Sequence, residues 1–325
     1  AWNSKILPVR VLGRCGGYTS DISDGMRWAA GLSVSGIPNN PNPAKVLNLS
    51  LGGTASCTRT YQDTINAVRA TGASIIVAAG NESQNASLST PANCEGVVVV
   101  GATDRNGGQA YYSNFGTTVD ISAPGGEMFS NSSLNAVLST HNTGSTSPQS
   151  DNYAYLQGTS MATPHVAGFA ADSMSTYKNQ RLRPQLMKAL ILASAVDPVS
   201  GSNDAVGLGG INYQKAYLPV LKYWEGANDS FATFDNADPI PDNGTIDYVT
   251  NLNSNKDVRI ALVWLNRGQY TFTHLNDPFP LGIDLDMSVF DPNGNLVATS
   301  VSNDNGYEVI DFSPNLNGRY RFAIS

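Results

Sequence analysis

The sequence predicts an α/β unit, a parallel sheet with helices on both faces, followed by an antiparallel β-sandwich. Two observations carry that expectation. Over the first two hundred residues, short unbroken apolar runs alternate with amphipathic helical patterns, as strands covered on both faces by crossover helices require. Near residue 219 the pattern changes to alternating strands separated by turn clusters, over about a hundred residues. The expected units are therefore 1–218 and 219–325.

Taken in order, KILPVRVL (5–12) is a buried strand, and SDISDGMRWAAGL (20–32) is a helix capped by serine or aspartate. AKVLNLSLGG (44–53) is a strand ending in glycines, and TYQDTINAVRATG (60–72) is an amphipathic helix closed by Gly72. ASIIVAAGN (73–81) and GVVVVGATD (96–104) are short continuous apolar runs of the parallel-strand type. Residues 128–152 form a polar surface excursion. A helix beginning near Ser160 follows, and RPQLMKALILASAV (183–196) is another buried helix. In the second unit, VRIALVW, LDMSVFD and GRYRFAIS alternate as strands, with PDNGT, DPNGN and NLNG as turns between them. The resulting sandwich is jelly-roll-like.

Composition narrows the function. Hydrophobic residues make up 41% of the 325, enough for a sizeable core, and charged residues only 14%. That low charge, with abundant glycine, serine, asparagine and threonine, suits a secreted, loop-rich enzyme. The net charge of −7 and pI near 4.9 leave no basic footprint for nucleic acid. No apolar run reaches the ~18 residues of a membrane span.

The most informative stretch is GTSMATPHVAG, residues 158–168. Ser160 opens a helix whose positive end favours negative charge beside it, and Gly158 permits close approach. His165 is not its base: five helical residues rotate a side chain by roughly 140°, so His165 points away and packs behind the helix. VLNLSLGG and VAAGN, both at the carboxyl ends of strands, precede this stretch. The three blocks, in this order, closely resemble the motifs of the subtilisin-like serine proteases. The likeness covers roughly residues 1–218, and RVLGRCGG and SPQSDNYAYLQGTSMATPHVAG place it nearest to secreted bacterial members.

That resemblance implies a subtilisin-like fold and a set of roles. Ser160 would be the nucleophile. Asn81 would give its side-chain amide to the oxyanion, with the Ser160 N–H as second donor; without the other blocks, Asn81 would read as a turn residue. Ser50, Leu51 and Gly52 would form one wall of the pocket for the side chain before the scissile bond, and Ala78, Ala79 and Gly80 the other. Cys15, Gly16 and Gly17 would supply a second edge, so that a protein or peptide substrate adds as a β-strand. Ser89 would lie at the pocket's base, where a small uncharged group favours apolar or aromatic side chains. Asp120 matches a position that binds a cation in several relatives, with carbonyls from about residues 92–97, and calcium suits such oxygens. An aspartate serving a turn is the alternative there. Asp284, Asp286 and Asp291 could bind calcium in the second unit, although turn and strand-edge roles are favoured.

The departure from the family is large. Its DTG-like aspartate strand and HGTHVAG-like histidine helix are both absent from this sequence. His141 and His274 lack the required helical setting. The expectation is an N-terminal segment, continuous with the chain or a separate piece, that holds the aspartate and histidine; a chain acting alone would then be inactive. Cysteine parity agrees. Cys57 and Cys94, near neighbouring ends of one sheet, are expected to pair, leaving Cys15 for a partner upstream. The competing readings are a catalytically inactive pseudo-protease that keeps the cleft and a binding module that uses the sandwich.

Overall fold

The computed structural model describes residues 1, 3–129, 135–176, 184–196, 203–213, 245–254, 256–263, 285–302 and 306–325. Two compact units divide at Asn212/Tyr213, six residues before the expected boundary.

The first unit is built on four parallel strands, in the order β1 (Val46–Leu49), β3 (Ser74–Ala78), β5 (Val98–Thr103) and β6 (Ile121–Pro124). A short antiparallel pair, β2 (Gly53–Thr54) with β4 (Ser89–Thr90), stands apart from this sheet. Two helices, α1 (Thr19–Ala29) and α2 (Arg59–Ala70), pack their apolar stripes against one sheet face. Ile22 and Met26 of α1 and Tyr61, Ile65 and Val68 of α2 share a buried cluster with Ile75 and Val77 of β3. Ile76 lies between those strand residues and is equally buried, so it faces the other side. There the long helix α3 (Thr159–Thr176) packs on β1, β3, β5 and β6, joined by α4 (Pro184–Ala193). A one-turn helix, α5 (Asn203–Val206), completes the unit among the described residues.

Three local expectations need correction. KILPVRVL forms no ladder among the described residues. Val9 and Val11 pack, partly buried, against the first core, but Ile6 is 91% and Leu12 42% exposed, so the run is not buried as a whole either. A strand also needs a neighbour's amides and carbonyls, which the hydrophobic pattern alone does not specify. Second, α1 begins after Tyr18, whose side chain makes no capping bond; the helix is held by its buried face instead. The cap expected of serine or aspartate is absent. In α2, by contrast, Thr58 caps through its hydroxyl, which accepts from the Tyr61 N–H at 3.3 Å, and Gly72 closes the helix at φ +83°. Third, the polar excursion contains a regular hairpin, β7 (Val137–Asn142) against β8 (Asp151–Leu156).

The second unit is antiparallel among its described strands. One sheet runs β12 (Leu296–Ser300), β11 (Met287–Phe290), β14 (Gly318–Ile324), β9 (Ile246–Leu252). The other pairs β10 (Val258–Val263) with β13 (Tyr307–Phe312). Leu262 and Ile310 from the small sheet share one core with Met287, Val289, Tyr320 and Phe322 from the large one, as two sheets packed face to face do. His274 and Asp284 lie outside the described residues.

Candidate active site

Ser160 is the second residue of α3. Gly158 starts the helix: its carbonyl accepts from the N–H groups of Met161 (2.9 Å) and Ala162 (3.3 Å). Its φ of +147° is a conformation that favours glycine. The Gly158 N–H is held by the Gly125 carbonyl at 3.1 Å and the Tyr112 hydroxyl at 2.9 Å. A Cβ on Gly125 would come within 2.8 Å of both the Gly158 carbonyl and the Tyr112 hydroxyl, so the turn entering α3 needs a second glycine beside it. Burial pushes the Tyr112 phenol well above its ordinary value, keeping it a neutral donor to the Gly126 carbonyl.

Ser160 and Ser50 hold each other. The Ser50 hydroxyl donates to the Ser160 carbonyl at 2.8 Å, and the Ser160 hydroxyl to the Ser50 carbonyl at 3.3 Å. This ties the helix start to the end of β1. Asn81, just after β3, is oriented by Thr159: its Oδ1 accepts from the Thr159 N–H at 2.8 Å and from the Thr159 hydroxyl at 2.9 Å. With Oδ1 so engaged, Nδ2 has no acceptor among the described residues. A Cβ built on Gly158 would lie 3.6 Å from the Ser160 nitrogen and 3.8 Å from Asn81 Nδ2. Asn81 Oδ1 lies 3.6 Å from the same point, so the Ser160 nitrogen and the whole Asn81 amide stand close together at the entry to α3.

The pocket residues converge on the same end of the sheet. Gly52 approaches the Thr90 carbonyl so closely that a Cβ there would stand 3.0 Å from it. Ser89 is buried on β4 beside β2, and its hydroxyl accepts from Asn114 Nδ2 at 2.9 Å. Ala78 and Ala79 are buried, and the Ala79 carbonyl accepts from the same Asn114 amide at 3.0 Å. Ser50, Leu51 and Gly52 thus run from β1 to this strand pair, with Ala78, Ala79 and Gly80 opposite. Cys15, Gly16 and Gly17 depart from expectation. Gly13 and Gly16 close a tight turn through reciprocal bonds of 2.8 and 3.4 Å, and a Cβ on Gly17 would strike the Val11 carbonyl at 2.3 Å. This segment is a folded turn rather than an extended edge, because Gly16 at φ +99° reverses the chain.

Asp120 also departs from expectation. Its side chain is almost wholly buried, and Oδ1 pairs with the Lys188 ammonium at 2.9 Å. Oδ2 accepts from the Val99 N–H at 2.8 Å, and the Val97 carbonyl takes the same ammonium at 3.1 Å. Both Asp120 oxygens are already committed, and a lysine supplies the positive charge, so Asp120 as placed does not fit a calcium ion. In the second unit Asp291 is a turn residue, its Oδ1 accepting from the Asn293 and Asn295 N–H groups. Among the described residues no group of three or more His, Cys, Asp or Glu is arranged to hold a metal ion.

Cys57 and Cys94 are bonded, with Cα atoms 5.2 Å apart, and Cys15 is free and exposed. Neither described histidine is placed as a base. His165 Nδ1 bonds the Met161 carbonyl at 2.9 Å, and exposed His141 bonds Asn152 at 3.0 Å. The sequence reading missed Thr159, Asn114 and Tyr112. Thr159 lies inside the serine block and could have been singled out. Asn114 and Tyr112 act through contacts across 25 to 46 positions, for which a single sequence carries no local signal.

The subtilase family model matches residues 1–211, well over half of the chain. The chain belongs to the subtilase family. A curated relative, the extracellular protease of Xanthomonas campestris pv. campestris, is 45% identical over 221 residues, covering 68% of this chain and 36% of the relative. The extracellular basic protease of Dichelobacter nodosus is 47% identical over 171 residues, covering 53% and 27%. The chain thus spans about a third of the length of these relatives. Among solved structures, a protease from Pseudoalteromonas arctica superposes with a TM-score of 0.63 at 48% identity, covering 66% of this chain and 62% of that one. The subtilisin-like fold accordingly holds for the first unit.

Proposed function

We propose that the protein is a secreted serine endopeptidase in which Ser160 attacks the peptide carbonyl. The observation that carries this reading is that the Ser160 backbone N–H and the Asn81 side chain, whose Oδ1 is engaged by Thr159 and whose Nδ2 has no acceptor among the described residues, lie close together at the start of α3. A serine with no base would need neither donor. Ser160 Oγ bonds the carbonyl carbon as the base takes its proton, and the two N–H groups bind the oxyanion; the C–N bond then breaks as the base passes that proton to the amine, and water hydrolyses the acyl-serine ester to free the acid and the serine. On this reading the general base and its orienting aspartate lie outside the described residues, where His165 and His141 are bonded to Met161 and Asn152. The extracellular names of the relatives support secretion. The substrate is a protein or peptide chain. Ser89 and the small-residue walls favour an apolar or aromatic side chain before the scissile bond.

The test is labelling of the full-length protein with a fluorophosphonate, followed by peptide mapping. The expected product is a single adduct on Ser160, lost together with hydrolysis in Ser160→Ala. Undiminished hydrolysis by that variant would overturn the reading. Binding of peptides without any adduct or turnover would favour an inactive relative that retains the cleft.

A further inference from the structure

Asn114 lies on the connection between β5 and β6, and its side chain is fully buried. Its Oδ1 accepts from the N–H groups of Glu82 (3.0 Å) and Gln84 (3.1 Å). Its Nδ2 faces the Ala79 carbonyl (3.0 Å), Glu82 Oε2 (2.9 Å) and Ser89 Oγ (2.9 Å). Its own N–H donates to the Gly80 carbonyl at 3.0 Å. One amide therefore grips the chain on both sides of Asn81, at 79 and 80 before it and at 82 and 84 after it. The Asn81 N–H is held in turn by Glu82 Oε2 at 2.9 Å. Gly80 is fitted to the same clamp, since a Cβ there would stand 2.2 Å from Asn114 Nδ2.

Thr159 fixes how the Asn81 amide is turned; Asn114 fixes where the residue stands. We propose that Asn114 is the positioning residue that sets the oxyanion donor Asn81 and the pocket-base Ser89 relative to Ser160, an inference that rests on the protease reading above. Only an amide meets the requirement. It must accept two backbone N–H groups with one end and share its two N–H protons among a carbonyl, a hydroxyl and a carboxylate with the other. Aspartate is the same size, but it would turn an acceptor toward the Ala79 carbonyl and the Glu82 carboxylate, repelling both.

The experiment is a double-mutant cycle on the full-length protein, using peptides that differ in the residue before the scissile bond. Asn114→Asp should lower kcat about tenfold or more with a smaller change in KM, as a displaced transition-state donor does. In an Asn81→Ala background, where the positioned donor is gone, the same substitution should cost less than about threefold. The ratio of kcat/KM between a large apolar and a small side chain should also change. Equal losses in both backgrounds, measured below the melting temperature, would show that Asn114 matters only for stability and would overturn the assignment. An unchanged selectivity ratio would overturn its pocket half. If Asn114→Asp does not fold, Asn114→Ser carries the same cycle. Ser160→Ala separates the two readings. Activity surviving in it sinks the protease reading itself, whereas an inactive Ser160→Ala beside equal losses sinks only the role of Asn114.

Discussion

Burial raises the Glu95 carboxyl to about 7 from 4.5, against the opposing pull of Arg69 and Lys188. A folded-state value above the unfolded one means that the folded protein holds the proton more tightly. The resulting stabilisation is complete below about pH 4.5 and is lost as the pH rises through about 7. Glu95 is partly exposed, so the difference is discounted to roughly 1–3 kcal/mol. Glu95→Gln should therefore be more stable than the parent at pH 8, and its urea midpoint should vary less between pH 5 and 8. A parent as stable at pH 8 as at pH 5 would contradict this. The neighbouring pair behaves differently. Burial pushes the Asp120 carboxyl up, while Lys188 and the Val99 N–H pull it down. Lys188→Met strands that carboxylate and should cost about 3–5 kcal/mol, much of it recovered when Asp120→Asn is added. Recovery is read from denaturant midpoints, and a double variant as unstable as the single one would refute the pairing account.

At the scale of elements, the entry to α3 is the most constrained stretch of the chain. Gly158 sits at φ +147°, where a side chain is strained, although a Cβ there would make only ordinary contacts of 3.6–3.8 Å with Ser160 and Asn81. Gly158→Ala puts a methyl group beside both proposed oxyanion donors. It should reduce kcat at least as far as losing one donor, about 10²–10³-fold, the size known from subtilisin. The backbone strain adds about 1–3 kcal/mol to the stability loss. A variant with normal kcat would place the oxyanion elsewhere. The Cys57–Cys94 bridge ties the start of α2 to the segment entering β5 across 37 positions, worth about 4 kcal/mol in the chain-entropy picture. Reduction, or replacement of both cysteines by serine, should lower the melting temperature by roughly 5–15 °C; no change would show the loop to be ordered without the bond. What the sequence disclosed follows the same physics. β3 and β5 were legible because both their faces are buried, which leaves an unbroken apolar run. The β7–β8 hairpin was not, because Leu138, Tyr153 and Tyr155 are exposed and no buried face writes a period into the chain. KILPVRVL shows the reverse error: the apolar run forms no ladder among the described residues, and Ile6 and Leu12 are exposed.

At the scale of the molecule, the parts of the site carried by contiguous blocks could be read from sequence, and the parts made by long-range contact could not. Ser160, Asn81 and the Ser50–Gly52 wall lie in three short motifs at the carboxyl ends of strands or the start of α3, so the fold brings them together wherever the sheet forms. The ammonium that pre-empts a metal at Asp120 comes from α4, 68 positions later, and no local pattern announces it. The same reasoning decides what these 325 residues can do by themselves. On the proposed reading they hold the nucleophile and both oxyanion donors, while among the described residues His165 and His141 are engaged with Met161 and Asn152. If no base reaches it, the Ser160 hydroxyl stays protonated, a poor nucleophile at neutral pH. Binding and the oxyanion donors alone leave about 10³–10⁴-fold over the uncatalysed reaction, far below a working protease. The purified 325-residue chain should therefore show at most that residual peptidase activity and react with fluorophosphonate far more slowly than the full-length protein. Rapid labelling of Ser160 in this chain, abolished by replacing His141 or His274, would mean that one of those histidines serves as the base and that no outside residue is needed.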